Sequence, residues 1–303
     1  MRVWILAARP RTLFAAAGPV LMGLVMSATD RALHVPAALT AMACALLLQI
    51  GANFVNDYSD GVRGTDTADR LGPRRMVQSG WISARAMRRA AILVLSLAFV
   101  IGLYLVVRGG WSLLVLGILA IAAAVLYTAG PYPLGYHGLA EPFVFVFFGP
   151  VAVAGTVCAQ HGAWEPAALV AGCGPGLLSV ALLTVNNIRD LTQDRAAGKR
   201  TLAVRIGETR ARHFFMFCVL AALVVPPGWA AYVYGFPVKC ALAMAGLMAL
   251  VAGPFALVLV RGVYRDNGRA LNRRLGQTGL LIFGYSLIFS AGWLFCSGMV
   301  ASL

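Results

Sequence analysis

The sequence predicts an all-α protein that crosses a membrane nine times. Of its 303 residues, 60% are hydrophobic and only 12% are charged, whereas a soluble domain carries about a quarter charged residues. Uncharged apolar runs of about 20 residues, the length that spans a bilayer, recur along the whole chain. A disordered chain and a disulfide scaffold are excluded, because glycine and proline are diluted among apolar runs and the six cysteines lie singly.

The nine predicted spans follow one another along the chain. The first follows Arg2, Arg9 and Arg11; a cleavable signal peptide is the less favoured alternative, since the run exceeds a typical signal core and lacks a clear cleavage site. Glycine and proline interrupt the fourth run from Gly130 onward, so it holds one span and then a turn. The predicted spans are 12–29, 35–56, 90–107, 109–140, 142–164, 166–188, 213–238, 240–260 and 275–303.

Lysine and arginine predict the orientation of these spans. With the N-terminus on side one, the connections on that side hold 22 basic residues and those on the other side hold 3. Such an excess is typical of the cytoplasmic side of a membrane protein. We therefore expect the N-terminus and both long basic loops in the cytoplasm and the C-terminus outside. The net charge of +14 then reflects topology and anionic lipid rather than nucleic-acid binding.

Acidic residues are rare and clustered after two of the predicted spans. Six of the eleven follow the second and the sixth span, and both segments are predicted to open on the cytoplasmic side. Within each segment, an asparagine and two acids recur at helical spacing, so each set shares one helix face if the span extends that far. The first set is Asn53, Asp57 and Asp60, followed by Asp66 and Asp69; the second is Asn186, Asp190 and Asp194.

The two acidic segments predict a site for a cation and a phosphate group. Carboxylates about 4 Å apart repel by about 4 kcal/mol at an effective dielectric constant near 20, so a cluster requires cations or protons. Mg²⁺ suits it, because Mg²⁺ is usually held by one or two carboxylates together with substrate phosphate oxygens. Basic side chains suited to phosphate oxygens surround both segments. They are Arg63, Arg70, Arg74 and Arg75 in the first, and Arg189, Arg195, Lys199, Arg200 and Arg205 in the second.

An ordinary solvated loop with local ion pairs is the alternative interpretation of each acidic segment. It is favoured for a single loop of this kind. Two segments with matching rows at the ends of spans favour function instead, because acids at a membrane edge are costly. A cation-coupled transporter is a further alternative, although such sites lie near the midplane of the membrane. Tyr127, at the end of the fourth span, is a candidate for the same site, with packing as its favoured role.

Two strings in these segments resemble a known family. NDYSDGVRGTDTADRLGPRR (56–75) and NNIRDLTQDRAAGKRTLAVRIG (186–207) are similar to the two aspartate-rich motifs of the UbiA superfamily of intramembrane prenyltransferases. Their continuations resemble the 1,4-dihydroxy-2-naphthoate polyprenyltransferase (MenA) branch more than the 4-hydroxybenzoate branch. Supporting matches run along the chain at RPRTL (9–13), GPYPLGYHGLAE (130–141) and LNRRLGQT (271–278). Arg11 stands where the family pattern has lysine, with the charge kept.

The resemblance implies a single domain over 1–303, with nine helices around a central cavity in the bacterial cytoplasmic (inner) membrane. The activity implied is transfer of a polyprenyl group from its diphosphate to 1,4-dihydroxy-2-naphthoate with decarboxylation, for menaquinone biosynthesis. Transfer to another acceptor such as 4-hydroxybenzoate, and phytyl transfer to the same naphthoate, remain alternatives.

The hypothesis assigns roles to the motif residues. Mg²⁺ is held against the diphosphate by Asn53, Asp57, Asp60, Asp66, Asp190 and Asp194, with the choice between Asp66 and Asp69 left open by the spacing. Substrate is bound by Asn53, Asn56, Arg63, Arg70, Arg74, Arg75, Asn186, Asn187, Lys199, Arg200 and Arg205. Tyr127 lies near the carbocation that forms when the allylic C–O bond breaks, where an aromatic face stabilises positive charge.

Overall fold

The computed structural model describes residues 2–64 and 71–302, which form helices and connecting turns without β-strands. Long apolar runs become helices because in lipid each backbone N–H and C=O must be bonded within its own segment. The helices are α1 (Arg2–Ala8), α2 (Pro10–Asp30), α3 (Val35–Arg63), α4 (Ala84–Gly109), α5 (Trp111–Leu126), α6 (Ala140–Phe148), α7 (Pro150–His161), α8 (Pro166–Ala196), α9 (Leu202–Ile206), α10 (Glu208–Tyr234), α11 (Val238–Val251), α12 (Gly253–Arg265) and α13 (Leu271–Ala301).

The all-α membrane fold is confirmed, and the count of spans is lower than expected. Within the described residues, seven helical segments are long and apolar enough to cross a membrane, or eight if α11 and α12 form one bent span. The fourth predicted span, 109–140, became α5, whose 16 residues extend about 24 Å, short of the hydrocarbon thickness of about 30 Å. Nine membrane crossings are therefore not confirmed by length and composition.

The connections between the helices gather at two ends of the bundle. At one end, which we call the site end, the Asn272 amide donates to Leu71 O at 2.7 Å and the Arg200 N–H donates to Tyr136 O at 2.7 Å. At the opposite end, the His34 N–H donates to the Gln160 side chain at 2.8 Å. α5 runs between these two ends despite its length. The loops after α3, α5, α8 and α12 thus share one end, as the alternation of basic connections predicts.

Close backbone contact between helices shapes the middle of the bundle. α6 and α7 form one apolar segment that is interrupted at Gly149. A Cβ atom added to Gly172 in α8 would lie 2.6 Å from Pro150 Cα, so only glycine permits this approach. Small residues at helix contacts are typical of membrane bundles, where van der Waals packing replaces the hydrophobic driving force between helices.

A cavity of about 1260 Å³ opens inside the bundle. Its wall is built by α2 to α8 and α13. Polar side chains, including Asp60 and Asp190, line it toward the site end, whereas residues such as Leu103, Leu113 and Phe147 line the rest. The cavity therefore combines a charged region with a long apolar region.

Candidate active site

The half of α3 nearer the site end supplies one wall of the charged region. Asn53, Asn56 and Asp60 line the cavity, and Asn53 and Asp60 are buried. The Asn53 amide donates to Ala8 O at 3.0 Å and to Thr12 Oγ1 at 3.1 Å, which ties α3 to the start of α2. Asn56 Oδ1 accepts from Thr128 Oγ1 at 2.7 Å. These two asparagines are held by the protein beside the cavity.

Asp57 lies apart from the cavity wall, in contrast to the expected shared face. Its two carboxylate oxygens accept hydrogen bonds from the backbone N–H groups of Met76 at 3.0 Å and Val77 at 2.9 Å. Asp60 lies three positions further along α3, so the two side chains are about 60° apart around the helix. Asp57 therefore secures the loop after α3, and its expected role as a metal ligand stays a prediction that this arrangement does not favour.

Asp60 is the most densely surrounded carboxylate of the site. It is 3% exposed and forms an ion pair with Arg75, which Asp57 helps to position through the adjoining loop backbone. The Tyr136 hydroxyl donates to Asp60 Oδ1 at 2.6 Å, and Lys199 Nζ lies 3.7 Å from the same oxygen. The protein thus neutralises a buried acid with its own cations, as burial of a charge requires.

The second acidic row lies on the last two turns of α8. Asp190 is buried and is held by the guanidinium of Arg189, through Nε at 2.7 Å and Nη2 at 2.5 Å. Arg189 also donates to Asn186 Oδ1 at 2.8 Å and to Asn272 Oδ1 at 2.9 Å. Asp190, Asp194 and Asn186 all line the cavity, so the shared face predicted for this segment is present.

Lys199 brings the two acidic rows together. Its ammonium lies 3.7 Å from Asp60 Oδ1 and 3.8 Å from Asp194 Oδ1, so carboxylates from α3 and α8 share a single cation. The loop after α8 positions this lysine, since the Lys199 N–H donates to Asp194 O at 2.8 Å. The two segments predicted to face the same water therefore meet at one point.

Tyr136, which the sequence analysis did not select, connects both segments. Besides the hydrogen bond to Asp60, the Tyr136 ring contacts two cations. The Lys199 ammonium lies 4.5 Å from the ring centroid, and the Arg63 guanidinium carbon lies 5.2 Å from it. Two cations over one ring are stabilised by the negative π faces. The sequence signals were its position in a turn predicted to open on the same side as the acids and its place in the GPYPLGYHGLAE string (130–141).

Tyr127 lines the cavity directly after α5. Burial raises the pKa of its phenol above the usual value of 10.0, and the charges of Glu141, Asp194 and Asp60 raise that pKa further. Arg9 opposes this shift. Tyr127 is therefore a neutral phenol whose ring lies close to the acids of both segments.

The remaining predicted residues occupy different positions. Asn187 lines the cavity, and its amide donates to the buried Glu141 carboxylate at 3.4 Å. Arg63 lines the cavity, and its guanidinium donates to the backbone carbonyls of Thr128 and Gly130. Three predicted substrate-binding residues are exposed and do not line the cavity: Arg74, Arg200 and Arg205. Asp66, Asp69 and Arg70 lie outside the described residues.

The donor set fits Mg²⁺ bound together with a diphosphate. Within residues 2–64 and 71–302, no group of three or more His, Cys, Asp or Glu side chains could hold a metal ion by itself. Mg²⁺ does not need such a cage, since it is commonly bound by one or two carboxylates, waters and substrate phosphates. Asp60, Asp190 and Asp194 supply the carboxylates at one cavity end, and Asn56 and Asn186 supply amide oxygens.

Comparison with known proteins agrees with the resemblance seen in the sequence. The model of the UbiA prenyltransferase family matches residues 16–270. A 1,4-dihydroxy-2-naphthoate octaprenyltransferase from Mycobacterium tuberculosis is 40% identical over 285 residues, covering 94% of both chains. A protein of the same name from Escherichia coli is 39% identical over 229 residues, covering 74% of both chains.

Solved structures share the fold. A UbiA homolog from Archaeoglobus fulgidus bound to DMAPP and Mg²⁺ aligns with a TM-score of 0.65 and 12% identity, over 95% of this chain and 99% of that chain. A second homolog, from Aeropyrum pernix K1, aligns with a TM-score of 0.65 and 17% identity, over 94% and 97% of the two chains.

Proposed function

The chain belongs to the UbiA prenyltransferase family, and we propose that it transfers a polyprenyl group from its diphosphate to 1,4-dihydroxy-2-naphthoate. A C–C bond forms between the allylic carbon and the aromatic ring, the allylic C–O bond breaks, and diphosphate leaves. The carboxylate departs as CO₂, and its electron pair remains with the ring. The product is a demethylmenaquinol for menaquinone biosynthesis.

One observation carries this proposal at the level of geometry. Carboxylates from α3 and α8 approach the same Lys199 ammonium at 3.7 and 3.8 Å, at the end of a cavity whose remainder is apolar. A diphosphate with a hydrocarbon tail matches this distribution, because its charged head requires cations and its tail gains about 0.8 kcal/mol for each buried methylene-sized group. Sequence similarity to the naphthoate enzymes supports the acceptor.

Metal and basic side chains stabilise the leaving diphosphate. Bound Mg²⁺ would neutralise the charge that develops on the diphosphate oxygens and orient the allylic carbon. Asp60, Asp190 and Asp194 would hold that ion. Lys199 and Arg75, which pair with Asp60 in this structure, turn to the phosphate oxygens when substrate binds. Preorganised charge of this kind lowers the barrier to C–O cleavage.

The cavity wall protects the allylic cation until the acceptor attacks it. Tyr127 presents a neutral ring beside the acidic residues, and a π face attracts a cation. The apolar wall from α4, α5 and α6 excludes water, which would otherwise hydrolyse the intermediate. The isoprenoid tail lies along this wall and continues into lipid.

The activity is tested by product mass. Purified protein in lipid nanodiscs is given Mg²⁺, a set of isoprenyl diphosphates, and either 1,4-dihydroxy-2-naphthoate or 4-hydroxybenzoate. We expect prenylated, decarboxylated naphthol only from the first acceptor, and EDTA should abolish it reversibly. Full transfer without any divalent metal would contradict the metal proposal, and product from 4-hydroxybenzoate alone would contradict the acceptor. Uptake of cation by sealed vesicles without prenyl transfer would favour a transporter.

The membrane location follows from the charge asymmetry. The site end carries the basic connections, so we assign it to the cytoplasm of a bacterial inner membrane. A prenyl diphosphate made in the cytoplasm then reaches the acidic rows without crossing the bilayer.

A further inference from the structure

Arg9 has an unusual backbone. It is the only non-glycine residue with positive φ within the described ranges, at φ 52° and ψ 69°. The left-handed conformation brings the Cβ of an L-residue close to the following carbonyl oxygen, and glycine avoids that strain. The following Pro10 disfavours a helical conformation at residue 9 but is satisfied by an extended one. Pro10 therefore explains why the helix breaks here. It does not explain why residue 9, whose backbone is left-handed, is an arginine and not a glycine.

The neighbouring contacts hold this turn in place. Arg9 O accepts from the Thr12 N–H and from Thr12 Oγ1, both at 2.9 Å. The Asn53 amide donates to Ala8 O at 3.0 Å and to Thr12 Oγ1 at 3.1 Å. An unfavourable backbone that its surroundings fix in this manner is a feature found at functional sites.

Arg9 belongs to the cavity wall, near the reacting region. It lines the same cavity as Tyr127 and Asp60, and its charge lowers the pKa of Tyr127 while Glu141, Asp194 and Asp60 raise it. The turn at Arg9 is tied to Asn53, which precedes Asp60 by seven residues on α3, or about 10 Å along the helix axis. Arg9 thus enters the cavity wall from the junction of α1 and α2, at the level of Asn53 and not at the point where Asp60 meets Lys199.

We infer that Arg9 binds the carboxylate of the aromatic acceptor. This inference rests on the proposed function, in which an anionic acceptor must lie beside several acidic side chains. Like charges repel there, and a buried carboxylate without a partner is costly. A guanidinium offers two parallel N–H donors to a carboxylate. Arg9, in the same cavity wall as Tyr127, orients the acceptor ring toward the allylic carbon while the diphosphate stays with the acidic rows.

The variant Arg9→Gly separates the side chain from the backbone. Glycine adopts φ 52° without strain, so the break between α1 and α2 is kept and the melting temperature should stay equal or rise. Affinity for 1,4-dihydroxy-2-naphthoate, measured by calorimetry in nanodiscs, should fall about tenfold or more. Arg9→Lys, which keeps the charge but loses the fork, should bind with intermediate affinity. Arg2→Gly, at the exposed start of α1, is the matched control and should bind like the wild type.

Two ligands complete the test. Affinity for 1,4-dihydroxynaphthalene, which lacks the carboxylate, and for geranyl diphosphate with Mg²⁺ should change by less than about twofold in Arg9→Gly. Equal losses for both naphthols, or a loss confined to the diphosphate, would overturn the inference. If the wild type binds no naphthoate, the proposed function fails. The inference is then judged on 4-hydroxybenzoate against phenol, and equal losses for that pair also overturn it.

Discussion

Single side chains at the site divide into those that face substrate and those that hold the protein in shape. Asp57 and Asp60 are three residues apart on α3, yet one accepts two loop N–H groups and the other faces the cavity. Sequence spacing placed both carboxylates on one broad face of the helix. Such a face is about 100° wide, so two side chains about 60° apart both fall within it. The partners of each carboxylate made the distinction.

Asp60→Asn should lower turnover by about a hundredfold or more, because the site loses a carboxylate that the diphosphate-bound metal requires. Prenyl transfer in nanodiscs measures it, and circular dichroism confirms that the variant is folded. Asp30→Asn, which alters an acid paired with Tyr234 at the opposite end, is the control and should retain activity. Comparable turnover of Asp60→Asn and wild type would contradict the site.

Asp57→Ala should act on stability rather than on metal use. It leaves the buried N–H of Met76 and the N–H of Val77 without their acceptor, at a cost of about 1–3 kcal/mol for such a group. The melting temperature in detergent should fall, while the Mg²⁺ concentration for half-maximal activity stays near that of the wild type. A large rise in that concentration with unchanged melting would show that Asp57 is a metal ligand.

Lys199→Met should strengthen the binding of Mn²⁺ alone by about tenfold, because the ammonium between Asp60 and Asp194 competes with any free metal. Binding of geranyl diphosphate should weaken in the same variant, since the lysine then no longer neutralises phosphate oxygens. Paramagnetic resonance of free Mn²⁺ measures the first change and calorimetry the second. Weaker Mn²⁺ binding would contradict the assignment of Lys199 as an internal counter-cation.

At the scale of elements, helix ends and loops decide how the rows meet. α8 extends to Ala196, eight residues past the predicted end of its span, and this extension carries Asp190 and Asp194. α3 likewise extends to Arg63 and carries Asp60. The prediction from apolar content ended both spans too early, because the extensions are polar and pack against protein at the site end instead of lipid.

Gly172→Val should disrupt the contact between α7 and α8. Even one added carbon would lie 2.6 Å from Pro150 Cα, and backbone cannot yield as a flexible side chain does. Overpacking of this kind costs about 1–3 kcal/mol or more, so the melting temperature should fall. Gly117→Val in α5, where nothing lies within 4 Å of the added carbon, is the control and should melt like the wild type.

For the whole molecule, we expect the two ends of the bundle to lie on the two sides of the membrane. Ala197 lies at the site end and Ala163 at the opposite end, and both are exposed. In intact bacterial cells, a membrane-impermeant maleimide should label Ala163→Cys and leave Ala197→Cys unlabelled until the cells are opened. Labelling of the native cysteines is measured in the protein without either substitution and is subtracted as background. The reverse pattern would contradict the orientation derived from the basic connections.

The sequence by itself determined the membrane class, the helical fold, the shared end of the two acidic segments and the family resemblance. Each depends on composition, periodicity or short motifs, which act within one helix or one loop. Tertiary structure alone decided that Lys199 joins Asp60 to Asp194, that the Tyr136 ring contacts two cations, that Asp57 turns to a loop, and that Arg9 enters the cavity. These relations join residues far apart in the chain, and their distances depend on how the helices pack together rather than on the spacing within any one of them.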